Sequence, residues 1–329
     1  MAEFRYNPLI DDWTIVAGNR QNRPDMPKNY CAFCPGSGKV PDNYTVLKYD
    51  NDWPSMQPNP PEIDDVTTDF YQAKKSFGKA EVILYSPDHN ASLWHLSVEH
   101  LTELVNLWKE RFLEIKKDKN IEYILIFENR GKEVGTTQPH PHGQIYGYGF
   151  MPLRIKLELA NSKKYYQENK ESLILKIRDE ELKVKDRIIM ENDEFVVFLP
   201  YYTDYPYGCY IVPKRDNVFT FEDFDENISV SFAKILKDLQ GTFDTMFNRE
   251  FPYMMGIYQI PLNSDLEEES KKYYNFHVKF FPPLRGANSI KWNASSETCV
   301  WAKTNPTRVE DTAVHLRDAF KKYQEKYND

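Results

Sequence analysis

Apolar residues fall at helical spacing in several stretches of the chain and at strand spacing in several others, and the two kinds alternate in a repeated order. Residues 81–85 form a β-branched and aromatic run that ends at Ser86-Pro87-Asp88-His89. A stripe of Val98, Leu101, Val105, Trp108, Phe112 and Ile115 then predicts an amphipathic helix, with Ser97 as its N-cap. A second strand over 123–127 breaks at Glu128-Asn129-Arg130-Gly131, and a Gly- and Thr-containing loop leads into 139–146, whose tail is again extended. The order recurs later, with strands at 194–198 and 209–215, a helix over about 226–247, and strands at 253–257 and 275–281. Pro87-Asp88-His89 lines up with Pro213-Lys214-Arg215, and His140-Pro141-His142 with His277-Val278-Lys279. The pattern is that of an internally duplicated α+β unit, with halves expected at 1–175 and 176–329. A helix over 153–170 would join the copies, and a helix over 308–326 would close the chain through Val309, Ala313, Leu316 and Phe320. The segment 24–61, rich in Pro, Gly, Asn and Asp, carries no periodicity and needs something other than a core to order it.

Composition narrows the class. Of 329 residues 41% are hydrophobic and 15% aromatic, enough apolar surface to rule out a disordered chain. The balance of 42 Lys and Arg against 50 Asp and Glu gives a net charge of −8 with no basic block, which argues against nucleic acid as a partner. No apolar run approaches the roughly 20 residues of a membrane span. The opening residues lack a basic stretch followed by an apolar one, so the expected location is the cytoplasm. Four cysteines are too few for a disulfide framework, and Cys31-Ala-Phe-Cys34 reads as metal or redox chemistry.

The densest chemistry lies in His140-Pro141-His142-Gly143-Gln144. A histidine before proline is biased toward extended backbone, and residues two apart on a strand share a face, so both imidazoles are expected on one surface about 6–7 Å apart. One could hold a metal while the other attacks. Imidazole suits displacement at phosphorus because its pKa near 6.5 leaves a neutral nitrogen at pH 7. Upstream, Asn129-Arg-Gly-Lys-Glu-Val-Gly-Thr-Thr137 offers N–H and O–H donors for phosphoryl oxygens together with two cations.

The run from Phe127 through Pro139-His-Pro-His-Gly-Gln-Ile-Tyr146 closely resembles the active-site motif of galactose-1-phosphate uridylyltransferases, a branch of the histidine-triad superfamily. Further similarities fall in order along the chain. They comprise Tyr6-Asn-Pro-Leu-Ile-Asp-Asp-Trp-Thr-Ile-Val16, Arg20-x-x-Arg23-Pro24, Asn51-Asp52-Trp53, Ser86-Pro-Asp-His89, Phe251-Pro-Tyr-x-Met-Gly256 and Phe281-Pro-Pro-Leu284. The resemblance implies two histidine-triad-like halves, each an antiparallel sheet with a packed helix.

It also implies roles. His142 would attack the α-phosphorus of a UDP-sugar, release hexose 1-phosphate and carry the uridylyl group to a second hexose 1-phosphate in a ping-pong cycle. Gln144 stands where hydrolytic relatives have a third histidine, and would hold a phosphoryl oxygen without supplying a proton, favouring transfer over hydrolysis. Asn129, Gly135, Thr136 and Thr137 would line the phosphates and Asn51 and Asp52 the uridine. Arg20, Arg23 and Lys291 would meet sugar-phosphate charge, some of them across a homodimer interface, and Lys291 and Glu297 stand in the stretch that would recognise the hexose. Cys31, Cys34, His89 and His140 would close a structural zinc site, one per chain. At the family's second metal site this chain has Glu158, Tyr258, His277 and Lys279, so a cation stands where the metal belongs and the site is expected to be vacant of metal. A nucleotide-sugar phosphorylase of the ADP-glucose type would use the same His142 intermediate. A zinc-stabilised nucleotide-binding module without turnover is the reading from another class.

Overall fold

The computed structural model describes residues 2–21 and 30–327. Its centre is one antiparallel sheet of nine strands. In chain order these are β1 (Leu47–Asp50), β2 (Gly78–Leu84), β3 (Tyr123–Arg130), β4 (His142–Tyr148), β5 (Ile188–Glu191), β6 (Phe195–Phe198), β7 (Tyr210–Pro213), β8 (Tyr253–Tyr258) and β9 (His277–Phe281). Across the sheet they run β1-β2-β4-β3-β8-β9-β7-β6-β5. The seam is the β3–β8 pair, where Phe127 faces Gly256. Moving outward from it, β3-β4-β2-β1 on one side is mirrored by β8-β9-β7-β6 on the other, and β5 adds an edge. The duplicated α+β order expected from the sequence is therefore present, with the copies fused into a single sheet.

Strand alternation divides the sheet into two faces with different fates. Ile83, Ile126, Ile145, Ile257 and Val278 point to one side, where they pack with Trp108 and Phe112 of α1 (Val98–Lys116) and Phe232 and Leu239 of α4 (Glu226–Phe247). Each of these helices crosses from the second strand of its copy to the third. Ser97 caps α1 by accepting from the His100 N–H, as the sequence predicts. On the opposite face, α2 (Leu153–Asn169) and α3 (Leu173–Val184) cover the second copy through Ile155, Leu159 and Ile174. The sequence pattern gave a single joining helix here; the chain turns at Lys170, whose φ of 60° ends α2. Over the first copy the same face meets a hairpin of Ala2–Asn7 and Asp12–Ala17 and the Cys31–Cys34 loop, with Phe33 packed against Val82 and Leu84. Most of that loop segment is irregular, yet it contains β1, whose register against β2 pairs Leu47 with Leu84. No helix among the described residues is long and apolar enough to cross a membrane.

The C-terminal helix α5 (Val309–Tyr327) lies against α4. The close approach is made at Gly241, where a Cβ would overlap the ring of the buried Tyr323. Helix propensity alone favours alanine over glycine by about 1 kcal/mol, but the overlap forces Tyr323 or the whole of α5 to move, which costs about 1–3 kcal/mol. Gly241→Ala is therefore expected to lower the urea midpoint; a raised midpoint would show that α5 does not depend on this contact.

Candidate active site

His142 opens β4 at one end of the sheet, on the face away from α1 and α4. Its Nδ1 lies 2.7 Å from the carbonyl oxygen of His140. A carbonyl only accepts, so Nδ1 carries the proton in the neutral ring and Nε2 carries the lone pair. The strand expected to carry both histidines begins only at His142. His140 sits in the preceding bend, buried, and its ring turns into the cysteine loop. Phe33 packs edgewise against His140 at 6.0 Å and tilted against His142 at 5.6 Å, so one aromatic ring contacts both.

Cys31, Cys34, His89 and His140 converge so that one ligand atom of each lies within 4.8 Å of all the others, a group that can hold a metal ion. Cys34 Sγ lies 3.3 Å from His89 Nδ1 and 3.6 Å from His140 Nδ1, and Cys31 Sγ lies 3.7 Å from His140 Nδ1. Ordinary Zn–S and Zn–N bond lengths in a tetrahedron give an S···N edge of about 3.6 Å. The donor set and its spacing both fit. His140 Nε2 donates to the Ser86 carbonyl at 2.8 Å, which leaves Nδ1 as its ligating atom, and burial holds the ring down to about 4 and hence neutral. Burial and the neighbouring Cys31 push the Cys34 thiol up to about 11, a penalty that a divalent cation among these donors removes.

Two cavities meet at His142. One of about 340 Å³ is lined by Glu128, Asn129, Lys132, Thr136, Gln138 and Arg249 with His142; the other, about 200 Å³, by Tyr49, Asn51, Asp52, Trp53 and Gln144 with His142. Gly135, in the left-handed conformation at φ 80°, closes the turn after Lys132–Val134. Thr136 Oγ1 donates to the Asn129 carbonyl at 2.7 Å, while Thr137 Oγ1 and Gln138 Oε1 are buried with no partner among the described residues. Gln138 lines both cavities. Of the loop's two cations only Lys132 keeps its charge uncommitted by a buried pair. Arg130 is buried against Asp244 of α4, at 2.6 and 2.7 Å, and is structural. Asn51 Oδ1 accepts from the Trp53 N–H, and Asp52 accepts from the Tyr49 hydroxyl.

Other expected site residues lie elsewhere. Lys291 packs over the Tyr205 ring at 4.8 Å, Glu297 accepts from the Ala294 N–H, and neither lines the two cavities. Arg20 reaches Tyr146, and Arg23 lies outside the described residues. Glu128 was not singled out from the sequence. It points to the α1 side of β3, accepts from Tyr253 at 3.1 Å, and burial lifts its carboxyl to about 7. Its place beside Asn129 in the motif was the available signal.

Residues 1–152 match the family description galactose-1-phosphate uridyl transferase, N-terminal domain, and residues 158–293 match its C-terminal domain. A galactose-1-phosphate uridylyltransferase of Thermotoga maritima is 38% identical over 97% of this chain and 98% of its own length. One from Schizosaccharomyces pombe is 31% identical over 87% and 86%. The chain belongs to the galactose-1-phosphate uridylyltransferase family. Among solved structures, a uridylyltransferase superposes with a TM-score of 0.89 at 27% identity, covering 97% of this chain and 99% of that one. An ADP-glucose phosphorylase from Arabidopsis thaliana with bound ADP-glucose shares the fold, with a TM-score of 0.74 at 23% identity over 97% and 99%.

Within this family fold the second copy has its own cluster. Phe127 pairs with Gln144 as its seam neighbour Gly256 pairs with Lys279, and His277 Nδ1 meets the Asn275 carbonyl at 2.8 Å as His142 meets that of His140. His277 is thus the counterpart of His142, and Lys279 that of Gln144, two residues away from the alignment drawn from the sequence. Lys279 Nζ lies 2.5 Å from Glu158 Oε1 and 4.2 Å from the centre of the Tyr258 ring. Tyr274 and Arg154 also donate to Glu158, at 2.8 and 3.0 Å. Glu158 and Lys279 form an ion pair where the family places its second metal. Burial opposes charge on Glu158, but Lys279, His277 and Arg154 outweigh it and hold the carboxyl at about 2. Burial likewise pushes Lys279 down to about 8, leaving it charged at neutral pH.

Because Glu158 is held below its ordinary 4.5, its contribution to stability is complete above that value and is lost as the pH falls toward 2. Lys279→Met removes the nearest cation. It should cost roughly 1–3 kcal/mol at neutral pH and flatten the acid-side loss between about pH 5 and pH 3, while turnover of the folded protein falls by less than about tenfold. Urea titrations across that range with parallel assays check it; an undiminished acid-side slope would remove the ion pair from the account.

Proposed function

We propose that this protein moves a uridylyl group between UDP-hexose and hexose 1-phosphate, interconverting UDP-glucose plus galactose 1-phosphate with UDP-galactose plus glucose 1-phosphate through a nucleotidyl group on His142. The observation that carries the reading is the Nδ1 hydrogen bond to the His140 carbonyl at the junction of the two cavities. Nε2 attacks the α-phosphorus, a P–N bond forms, and the bond from phosphorus to the hexose 1-phosphate oxygen breaks with its electron pair leaving on that oxygen. The ring becomes cationic as it takes the phosphorus, and the Nδ1–H bond strengthens at that moment, so it stabilises the transition state more than the ground state. A second hexose 1-phosphate then attacks the same phosphorus and the P–N bond breaks. Asn129, Gly135, Thr137 and Gln144 hold phosphoryl oxygens, with Thr136 bracing the loop through its bond to the Asn129 carbonyl, and Asn51 and Asp52 hold the nucleoside. Lys291 and Glu297, which line neither cavity at His142, fit a role in a homodimer that shares its sites.

The Cys31, Cys34, His89 and His140 group is proposed to bind one structural zinc ion per chain, tying the loop to the end of β4. Metal is not proposed for the Glu158, Tyr258, His277 and Lys279 cluster, where the ammonium and carboxylate satisfy one another.

The Arabidopsis ADP-glucose phosphorylase shares this fold, so a phosphorylase reading is distinguished by the acceptor. Protein incubated with UDP-glucose alone and weighed intact should gain one uridylyl unit, discharged by galactose 1-phosphate; discharge by inorganic phosphate instead would indicate the phosphorylase. No adduct at all would leave a nucleotide-binding module. His142→Asn should lose the adduct and several powers of ten in turnover with the fold retained, and an adduct persisting in that variant would refute the role. Elemental analysis should find about one zinc per chain. Stripping it with a chelator should lower the thermal midpoint, whereas fully active, equally stable zinc-free protein would contradict the assignment.

A further inference from the structure

Arg20, Tyr146 and Gln144 form a hydrogen-bonded line that ends beside His142. Arg20 Nη1 lies 3.3 Å from the Tyr146 hydroxyl, and that hydroxyl lies 3.1 Å from Gln144 Oε1. His142, Gln144 and Tyr146 sit at alternate positions of β4 and share one sheet face. Tyr146 is buried, its ring edge-on to Phe127 at 4.9 Å and packed with Phe4, Met56 and Phe150. The phenol is therefore held in place by carbon packing, and only its hydroxyl is left to make polar contacts.

The donor and acceptor inventory fixes the direction of this line. A guanidinium donates and cannot accept, so the phenol oxygen accepts from Arg20 and its proton goes to the other polar neighbour, the side chain of Gln144. Only the carbonyl end of the amide can take that proton. The amide nitrogen is then left for the cavity that Gln144 shares with His142, Asn51 and Trp53. In the flipped amide the nitrogen would face the phenol, the phenol proton would lose Gln144 Oε1 as its acceptor, and a carbonyl oxygen would meet the phosphoryl oxygens, lone pair against lone pair.

We propose that Tyr146, backed by Arg20, is a positioning residue that sets the orientation of the Gln144 amide, so that it meets the transferring phosphoryl group as a donor. The inference rests on the reading of His142 as nucleophile and Gln144 as its phosphoryl contact. It also gives Arg20 a role inside the protein, where the sequence motif had assigned it to sugar-phosphate charge.

Tyr146→Phe keeps the ring and removes the hydroxyl alone. The rate of uridylyl-enzyme formation from UDP-glucose, followed by rapid quench and intact mass, should fall roughly 5- to 50-fold, less than the loss of a whole oxyanion donor because the amide still samples the right orientation. The KM for UDP-glucose should change far less than kcat. In a Gln144→Ala background the same substitution should change the rate by less than about twofold, since there is no amide left to orient. Arg20→Met should give a smaller loss that also vanishes in that background. A Tyr146→Phe protein as fast as wild type, or one equally impaired with and without the Gln144 amide, would overturn the positioning role. Wild-type protein that forms no adduct would instead overturn the nucleophile reading beneath it.

Discussion

The hydrogen bond from His142 Nδ1 to the His140 carbonyl links everything that matters chemically in this chain. It fixes which nitrogen of His142 holds a proton. Its acceptor belongs to a residue whose own ring faces Cys31, Cys34 and His89, so whatever anchors that group also anchors the acceptor. The donor belongs to the first residue of β4, which is zipped to β2 and β3 on both sides. A neutral imidazole whose Nδ1–H is held by a fixed carbonyl presents Nε2 in one direction, and in the proposed reaction the same carbonyl would stabilise the cation that the ring becomes.

The second copy has the same backbone device and a different outcome. His277 donates from Nδ1 to the Asn275 carbonyl, yet Tyr258 stacks on its ring at 5.1 Å and its Nε2 is buried without a hydrogen-bond partner among the described residues. Burial, with Lys279 alongside, holds it down to about 3. What separates the copies is the covering of the sheet face. The hairpin and the cysteine loop leave cavities beside His142, whereas α2 brings Glu158 against β9, and where the first copy has the Gln144 amide the second has Lys279 paired to Glu158. The imidazole of the first copy borders two cavities, and that of the second is core.

Much of this was legible in the sequence because it depends on local periodicity. The stripe from Val98 to Ile115 and the Ser97 cap gave α1, and the recurring strand–helix–strand order gave the duplication. Other features depend on partners far along the chain. Arg130 reads as a phosphate ligand until Asp244, on α4, is seen to neutralise it. β1 escaped notice because Leu47-Lys-Tyr-Asp50 is short, polar at alternate positions and surrounded by turn residues. The two-residue offset between His277 and its true counterpart was invisible because motif spacing does not say which carbonyl an imidazole meets. Tyr146 was within reach, two residues from Gln144 on an extended run, but only the packing of Phe4 and Phe127 shows that its hydroxyl is aimed along the strand face.

The tautomer of His142 decides the chemistry, and long-range proton–nitrogen correlation spectra of protein labelled with ¹⁵N-histidine report it directly, with His142→Asn providing the assignment. The account requires a His142 ring protonated at Nδ1 and unprotonated at Nε2 at neutral pH, with phosphorus attached at Nε2 after addition of UDP-glucose. A ring protonated at Nε2, or a nucleotidyl group on Nδ1, would contradict it.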